Sequence, residues 1–154
     1  MTDDFTFLDP GRLKDGALIL VPARMKPADP TKAHVPAYGF DMLAPDGTIM
    51  GYLNLRIGDG ETELRYPGNV GYGVLPPRRG HGYAGRSLKL ILPFARRHGL
   101  TRLWITCRPD NTASRKTCEG VGAALIEIID IPPTHEMARA YGIHQVCRYC
   151  IELG

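Results

Sequence analysis

The sequence lacks long apolar runs, a dominant charge of either sign and a dense set of cysteines. Of its 154 residues, 44% are hydrophobic, yet no apolar run approaches the ~20 residues that a membrane-spanning helix needs. Lys and Arg number 19 against 16 for Asp and Glu, and this small excess does not predict a nucleic-acid coat. Residues 1–16 are acidic and interrupted by Pro and Gly, unlike a signal peptide. We therefore expect a soluble, cytoplasmic protein.

Internal repeats, low-complexity tracts and shifts of composition are also missing from the sequence. A chain of this length can bury roughly 68–70% of the surface that its unfolded form exposes. One hydrophobic core can therefore form without help from disulfides or metals. We expect residues 1–154 to form a single domain.

The four cysteines do not form a convincing metal motif. Cys147 and Cys150 lie in a C-x-x-C pair, but the surrounding "HQVCRYCIEL" alternates and predicts a strand. Residues three apart in a strand point to opposite faces, so both thiolates could not hold one ion. The other two, Cys107 and Cys118, are separated by ten residues and lack a second C-x-x-C. We predict reduced structural cysteines and no metal site.

Strand signals dominate the first half of the chain. The apolar run 17–21 predicts a first strand, and four prolines between positions 22 and 36 argue against a long helix after it. Two β-rich runs, 38–43 and 48–57, flank a Pro-Asp-Gly turn and predict a hairpin. Another strand is predicted over 69–75, where Pro76 and Pro77 follow.

After residue 82 the hydrophobic period changes from two to 3.6. One apolar stripe is formed by Ala84, Leu88, Ile91, Leu92 and Ala95, which predicts a helix despite Pro93. The remaining predicted elements are a strand at 101–107, a helix over 112–119 capped by Asp110 or Asn111, and strands at 123–131 and 145–153. The predicted class is α/β, with flanking helices on a mixed, mostly antiparallel sheet around a parallel β-α-β unit.

The turn of that unit is rich in glycine. Residues 80–85, "GHGYAG", fit the pattern G-x-G-x-x-G, and a helix N-terminus with glycines can hold phosphate. Arg78 and Arg79 can add charge-assisted hydrogen bonds. A nicotinamide dinucleotide is disfavoured, because the first glycine does not directly follow the strand and the strand at 101–107 contains no acid for the ribose. The P-loop pattern is also missing.

These residues resemble the GNAT family of N-acetyltransferases, which use acetyl-CoA. The likeness lies in Val74-Leu75-Pro76, in the run from Arg79 to Ala84, and in the spacing of Asn111, Ser114, Glu119 and Gly122. It is nearest to the branch of ribosomal-protein N-terminal acetyltransferases and predicted acetyltransferases. The resemblance implies a GNAT-like fold, but the N-terminal helical region is shortened, since about 16 proline-punctuated residues occupy its place.

The resemblance also implies a site for acetyl-CoA as co-substrate. Backbone amides of the glycine loop would hold the pyrophosphate, and strand 69–75 would pair with the pantetheine arm, its glycines marking a bulge or close approach. Asn111 would bind the arm or serve as a helix cap alone, and Ser114 would have a ligand or a structural role. The predicted cofactor-binding residues are Tyr72, Gly73, Val74, Arg79, Gly80, His81, Gly82, Tyr83, Ala84, Gly85, Asn111 and Ser114.

The implied reaction is direct attack of a primary amine on the acetyl thioester in a ternary complex. An oxyanion donor would come from a bulge around Gly73–Val74. Many family members carry a proton-donating Tyr at the position of Cys118, so this thiol is a candidate donor or a small core residue. Further candidates are Tyr141, His144 and Tyr149, whereas Glu119 is expected to hold the fold.

The acceptor is an unidentified small molecule, peptide or protein. Its side of the site would be open, or covered by residues 132–144 or by the second subunit of a homodimer. Two other classes fit the same sequence. One is a non-catalytic domain that binds or senses acetyl-CoA. The other is a small basic module that binds nucleic acid through arginines such as Arg96 and Arg97, although interleaved aromatic residues are missing.

Overall fold

The computed structural model describes residues 5–154, which build an eight-stranded sheet in the order β1-β2-β3-β4-β5-β6-β8-β7. The strands are β1 (Leu13–Asp15), β2 (Leu18–Lys26), β3 (Ala37–Leu43), β4 (Ile49–Arg56), β5 (Val70–Val74), β6 (Arg102–Cys107), β7 (Ala124–Asp130) and β8 (Gln145–Glu152). The helices are α1 (Tyr83–Arg97), α2 (Thr112–Gly120) and α3 (Glu136–Tyr141). β5 and β6 pair in parallel, and the other pairs are antiparallel. The predicted mixed sheet is therefore confirmed.

The region before the hairpin is strand rather than helix. β2 continues to Lys26, beyond the predicted end at residue 21, and it passes Pro22. The register of β2 against β3 shifts between Pro22 and Arg24, and a bulge of this kind tolerates a residue without an amide hydrogen. Between the two strands the chain makes one 3-10 turn, Pro30–Lys32, and residues 22–37 contain no α-helix. The shortened N-terminal helical region is thus confirmed.

Helix α1 packs its apolar stripe against the sheet. Leu88, Ile91 and Ala95 are buried as predicted, and Phe94 joins them. Pro93 lies in the helix interior but on its exposed face. The carbonyl of Lys89, also exposed, consequently has no amide at position 93 to accept from, and water can solvate it. None of the helices within residues 5–154 is long and apolar enough to cross a membrane.

Two short elements differ from the prediction. β1 forms in a segment that carried no strand signal, by pairing with the start of β2. α3 lies within the segment 132–144, for which we predicted neither a helix nor a strand. The His135 ring accepts a hydrogen bond from the amide of Met137 at 3.1 Å, and Gly142 with φ of +66° ends the helix. The capping His135 and the terminating Gly142 are both local sequence signals, so this helix was predictable.

Candidate functional site

The sheet opens between β5 and β6. Within residues 5–154 the two strands share one parallel pair, Val70 with Ile105, while β5 continues to Val74. On its other side β5 pairs with β4 along its whole length. The backbone of β5 from Gly71 onwards therefore presents a free edge to the gap. β5 and β6 thus splay apart beyond Val70.

The predicted bulge around Gly73–Val74 is wrong. The β4–β5 register runs without a shift from Gly51–Val74 to Leu55–Val70. The glycines instead permit close approach of neighbouring side chains. A Cβ on Gly73 would lie 2.7 Å from the Tyr52 ring, and one on Gly71 would lie 3.0 Å from the Arg56 guanidinium. Side chains from β4 thus cover the β5 glycines on this face.

A glycine loop joins β5 to α1. A 3-10 turn, Pro76–Arg78, leads into Gly80 and Gly82, whose φ angles are +90° and +71°. Gly82 is the N-cap of α1 and has no side chain to accept from the amides of the first helical turn. The first helical hydrogen bond runs from the amide of Arg86 to the carbonyl of Gly82. The amides before it point out of the helix end, where the dipole favours an anion.

A second helix N-terminus lies across the gap. The side-chain oxygen of Asn111 accepts a hydrogen bond from the amide of Ser114 at 3.1 Å, which makes Asn111 the cap of α2. The choice left open between Asp110 and Asn111 is therefore settled for Asn111. The amide nitrogen of the same side chain can donate to a ligand.

A cavity of about 420 Å³ unites these elements. Ten of the twelve predicted cofactor-binding residues line it, namely Tyr72, Gly73, Val74, Arg79, Gly80, Gly82, Tyr83, Ala84, Asn111 and Ser114. Arg78, Ala113 and Thr117 line it as well. We did not predict Ala113 and Thr117, because the sequence around them indicates a helix and carries no signal for a ligand.

Two predicted residues lie outside the described lining of that cavity. His81 is exposed, with its ring centre 5.3 Å from that of Tyr83. Gly85 faces α2, since a Cβ there would lie 3.6 Å from Val121 and 3.8 Å from Thr117. A Cβ at Gly85 would thus make only ordinary van der Waals contact with α2.

The inner end of the cavity holds a hydroxyl pair. Tyr72 Oη lies 2.9 Å from Ser114 Oγ and 3.9 Å from Cys118 Sγ. Burial raises the pKa of Tyr72, and the neighbouring Cys118 raises it further. The phenol therefore stays neutral and protonated across the physiological range. Sequence reasoning missed this pairing, because 42 residues separate its members.

Three of the cysteines gather behind this pair. All four cysteines are free and buried, and Cys107 pairs with Cys147 across β6 and β8. A hydrogen bond from Cys118 lowers the pKa of Cys107 despite its burial. Cys118 is fully buried, and it is not among the described residues that line the cavity. Within residues 5–154, no group of three His, Cys, Asp or Glu side chains could hold a metal ion.

The other candidate side chains have structural surroundings. Tyr149 is buried; its hydroxyl donates to Glu119 at 3.2 Å and accepts from Arg115 at 3.0 Å. Tyr141 is 69% exposed on α3, and His144 is exposed beside β8. None of these three is among the described residues that line the cavity. Glu119 is held by Tyr149, in keeping with the expectation that it supports the fold.

The chain resembles known acetyltransferases in sequence and in fold. A family model described as an acetyltransferase (GNAT) domain matches residues 22–124. A search of curated proteins found no significant match.

Solved structures share the fold at low sequence identity. A proposed ribosomal-protein-serine acetyltransferase from Vibrio cholerae has 16% identity and a TM-score of 0.65, with 94% of this chain and 99% of that chain covered. An acetyltransferase that modifies the N-terminal serine of ribosomal protein L7/L12 in Salmonella typhimurium has 21% identity and a TM-score of 0.57, covering 75% of this chain and 63% of that one.

A third neighbour was solved with its co-substrate. The microcin C7 self-immunity acetyltransferase MccE, in complex with acetyl-CoA and AMP, has 20% identity and a TM-score of 0.58, covering 75% of this chain and 61% of its own. The present chain thus spans less than two thirds of the length of the last two neighbours.

Proposed function

The chain belongs to the GNAT family of acetyltransferases, since the family model matches residues 22–124, and we propose that it transfers the acetyl group of acetyl-CoA to a primary amine. The observation that carries this proposal is the cavity in which a free strand edge meets an open helix N-terminus. We take residues 1–154 as one N-acetyltransferase-like domain.

The glycine loop would hold the pyrophosphate. Cβ atoms built at Gly80 and Gly82 would meet nothing within 4 Å in the described part of the chain, so the backbone is open to a ligand. The amides of the first turn of α1 would donate to phosphate oxygens. Arg78 and Arg79 line the same end of the cavity and would add charge-assisted hydrogen bonds.

The pantetheine arm would lie along β5. Its two amides can pair, as an added strand does, with the β5 backbone that faces the gap, at Tyr72 and at the amide of Val74. The amide nitrogen of Asn111, on the opposite wall, can donate to the same arm. The acetyl thioester would then lie beyond Gly73, at the inner end of the cavity.

The reaction would be a direct acyl transfer. The amine nitrogen attacks the carbonyl carbon, a C–N bond forms, and the C–S bond breaks with its electron pair on sulfur. An alkylamine with a pKa near ~10.4 is mostly protonated at neutral pH, so a proton must leave it before attack.

The acceptor side would be open to a small molecule or to the N-terminus of a peptide. Residues 22–37 and 132–144 are not among the described residues that line the cavity. His34, in the first segment, lies 3.6 Å from Glu136 of α3, so the two segments contact each other. The named activity of the Salmonella typhimurium neighbour makes a peptide with N-terminal serine a rational first acceptor to try.

Two substitutions of glycine test the cofactor site. Gly82→Trp should abolish binding of acetyl-CoA in calorimetry, because the indole would occupy the pyrophosphate position. Gly47→Trp is the matched control, since Gly47 also has a positive φ, +87°, and open surroundings in the described residues. Normal binding by Gly82→Trp would overturn the site assignment.

Turnover is tested separately, by release of free CoA thiol with a panel of alkylamines and peptides. Thiol release that depends on an acceptor supports the transferase. Binding of acetyl-CoA without release for any acceptor would instead support the non-catalytic sensing domain.

A further inference from the structure

The hydroxyl of Tyr72 occupies a specific place in the cavity that cofactor binding alone does not explain. One end of the cavity is cationic and rich in amides, around Arg79 and Gly82, and the other end contains Tyr72 and Ser114. A CoA thioester whose pyrophosphate lies at the first end extends along β5 towards the second. The sulfur then reaches the two hydroxyls. This placement rests on the proposed function.

Ser114 holds the phenol in one orientation. Its amide is fixed by Asn111 at the start of α2, and its hydroxyl lies 2.9 Å from Tyr72 Oη. If Ser114 donates in this contact, the hydrogen of Tyr72 is free to point elsewhere. Tyr72 Oη also lies 3.9 Å from Cys118 Sγ, a long and weak contact. A stronger acceptor can therefore take that hydrogen without loss of a good hydrogen bond.

From this geometry we infer that Tyr72 is a catalytic residue whose hydroxyl donates a hydrogen bond to the CoA sulfur as the C–S bond breaks, with Ser114 as its positioning residue. The sulfur leaves with the electron pair of the broken bond, and the donor stabilises the negative charge that develops there. The nitrogen proton that amide formation releases goes to solvent. The phenol keeps its own proton throughout.

The surroundings of Tyr72 favour donation over proton transfer. Burial raises its pKa, whereas an ordinary thiol has a pKa near ~8.5. Full transfer of the proton to sulfur would therefore be uphill. A neutral, fixed donor needs no such transfer and acts equally over the physiological pH range.

Kinetics of Tyr72→Phe give the first test, because this change removes one oxygen atom. We expect kcat to fall about 100-fold, as for loss of one fixed donor to a developing anion, and KM for acetyl-CoA to change by less than about twofold. The pH profile should keep its shape. Ser114→Ala should lower kcat by roughly tenfold without a larger KM change. Unchanged kcat in Tyr72→Phe would overturn the inference.

A binding measurement tests the same contact without turnover. A donor at the sulfur favours the thiolate, so the affinity of the wild-type protein for free CoA should rise with pH from 7 to 9.5. The gain in affinity over this pH range should be roughly tenfold smaller in Tyr72→Phe. Loss of the donor would raise the pKa of the bound thiol by about one unit, which is a factor of ten in affinity for the thiolate. Acetyl-CoA, whose sulfur does not titrate, is the internal reference. Tyr141→Phe, at the exposed tyrosine of α3, is the matched control.

The outcomes separate the two proposals. Equal pH dependence in the wild type and Tyr72→Phe would overturn the role of Tyr72, yet leave acetyl-CoA binding and acetyl transfer intact. Failure of the wild type to bind either CoA or acetyl-CoA would overturn both the sulfur contact and the proposed function.

Discussion

The guanidinium of Arg79 donates from Nε to the carbonyl oxygen of Val74 at 2.9 Å. This hydrogen bond returns the glycine loop to the end of β5, the strand that would carry the pantetheine arm. Arg79 therefore shapes the loop with one nitrogen and leaves its two terminal nitrogens for phosphate. A lysine has a single nitrogen head and cannot do both.

Arg79→Lys should therefore weaken acetyl-CoA binding even though it preserves charge. We expect a rise in Kd of about tenfold, which equals about 1.4 kcal/mol, measured by calorimetry. Arg12→Lys, at an exposed position before β1, is the control and should bind normally. Equal Kd values for the two variants would show that the hydrogen bond to Val74 has no part in forming the site.

Asn111 can be both a helix cap and a ligand donor, and substitution separates the two roles. Asp caps helices as well as Asn does, but a carboxylate cannot donate to the pantetheine arm. Asn111→Asp should therefore keep the wild-type Tm and lose affinity for acetyl-CoA. Asn111→Ala should lose about 1 kcal/mol of stability as well. Thermal unfolding with and without acetyl-CoA measures both effects, and normal binding by Asn111→Asp would leave Asn111 as a cap alone.

Local signals allowed much of the fold to be predicted. The Pro-Asp-Gly turn predicts the β3–β4 hairpin, and the glycine loop with the apolar stripe predicts the parallel β-α-β unit. Pro22 misled the prediction of the first strand, because whether a bulge can absorb a proline depends on the partner strand. The partner of Pro22 is Phe40 in β3, and this pairing cannot be seen in the local sequence.

Long-range contacts explain most of what was missed at the site. Ser114 carries a sequence signal, but its partner Tyr72 lies 42 residues away and has only a strand pattern around it. Likewise Arg148 sits in a strand as one polar residue among apolar ones. Its burial depends on a loop more than 80 residues earlier. Neither pairing follows from spacing, since both need the assembled sheet.

His98 should make stability depend on pH below neutrality. Its Nε2 lies 2.6 Å from the hydroxyl of Tyr38, which already accepts a hydrogen bond from the amide of Leu8. A neutral imidazole with an unprotonated Nε2 can accept a hydrogen bond from this phenol. Burial, with a contribution from Arg97, lowers the pKa of His98 below its ordinary value of 6.5.

The sign of this effect follows from proton linkage. Above pH 6.5 neither the folded nor the unfolded form binds the proton, and the stabilisation is complete. As the pH falls below 6.5 the unfolded form is protonated first, so the unfolding free energy decreases until the folded pKa is passed. Tm measured from pH 7 to 5 should fall less steeply in His98→Gln than in the wild type. Identical slopes would contradict a neutral His98.

Arg148 should be the arginine whose loss destabilises the fold most. Its side chain is fully buried, and its guanidinium lies 4.2 Å from the centre of the Trp104 ring. It donates to Glu61 and Glu127 at 2.9 Å each, and to the carbonyls of Gly60 at 3.1 Å and of Arg65. One side chain thus joins β8 and β7 to the loop after β4.

Arg148→Met removes these donors but keeps much of the apolar volume. The two carboxylates are 58% and 37% exposed, so water can solvate them. The unfolding free energy should therefore fall by about 3 kcal/mol, the lower end of the range for breaking a buried ion pair. Arg102→Met is the matched control, because its partner Glu152 lies at 3.0 Å but both side chains are mostly exposed. That pair should contribute less than about 1 kcal/mol. Urea unfolding compares the two, and equal midpoints would show that the Arg148 network adds no more than a surface ion pair.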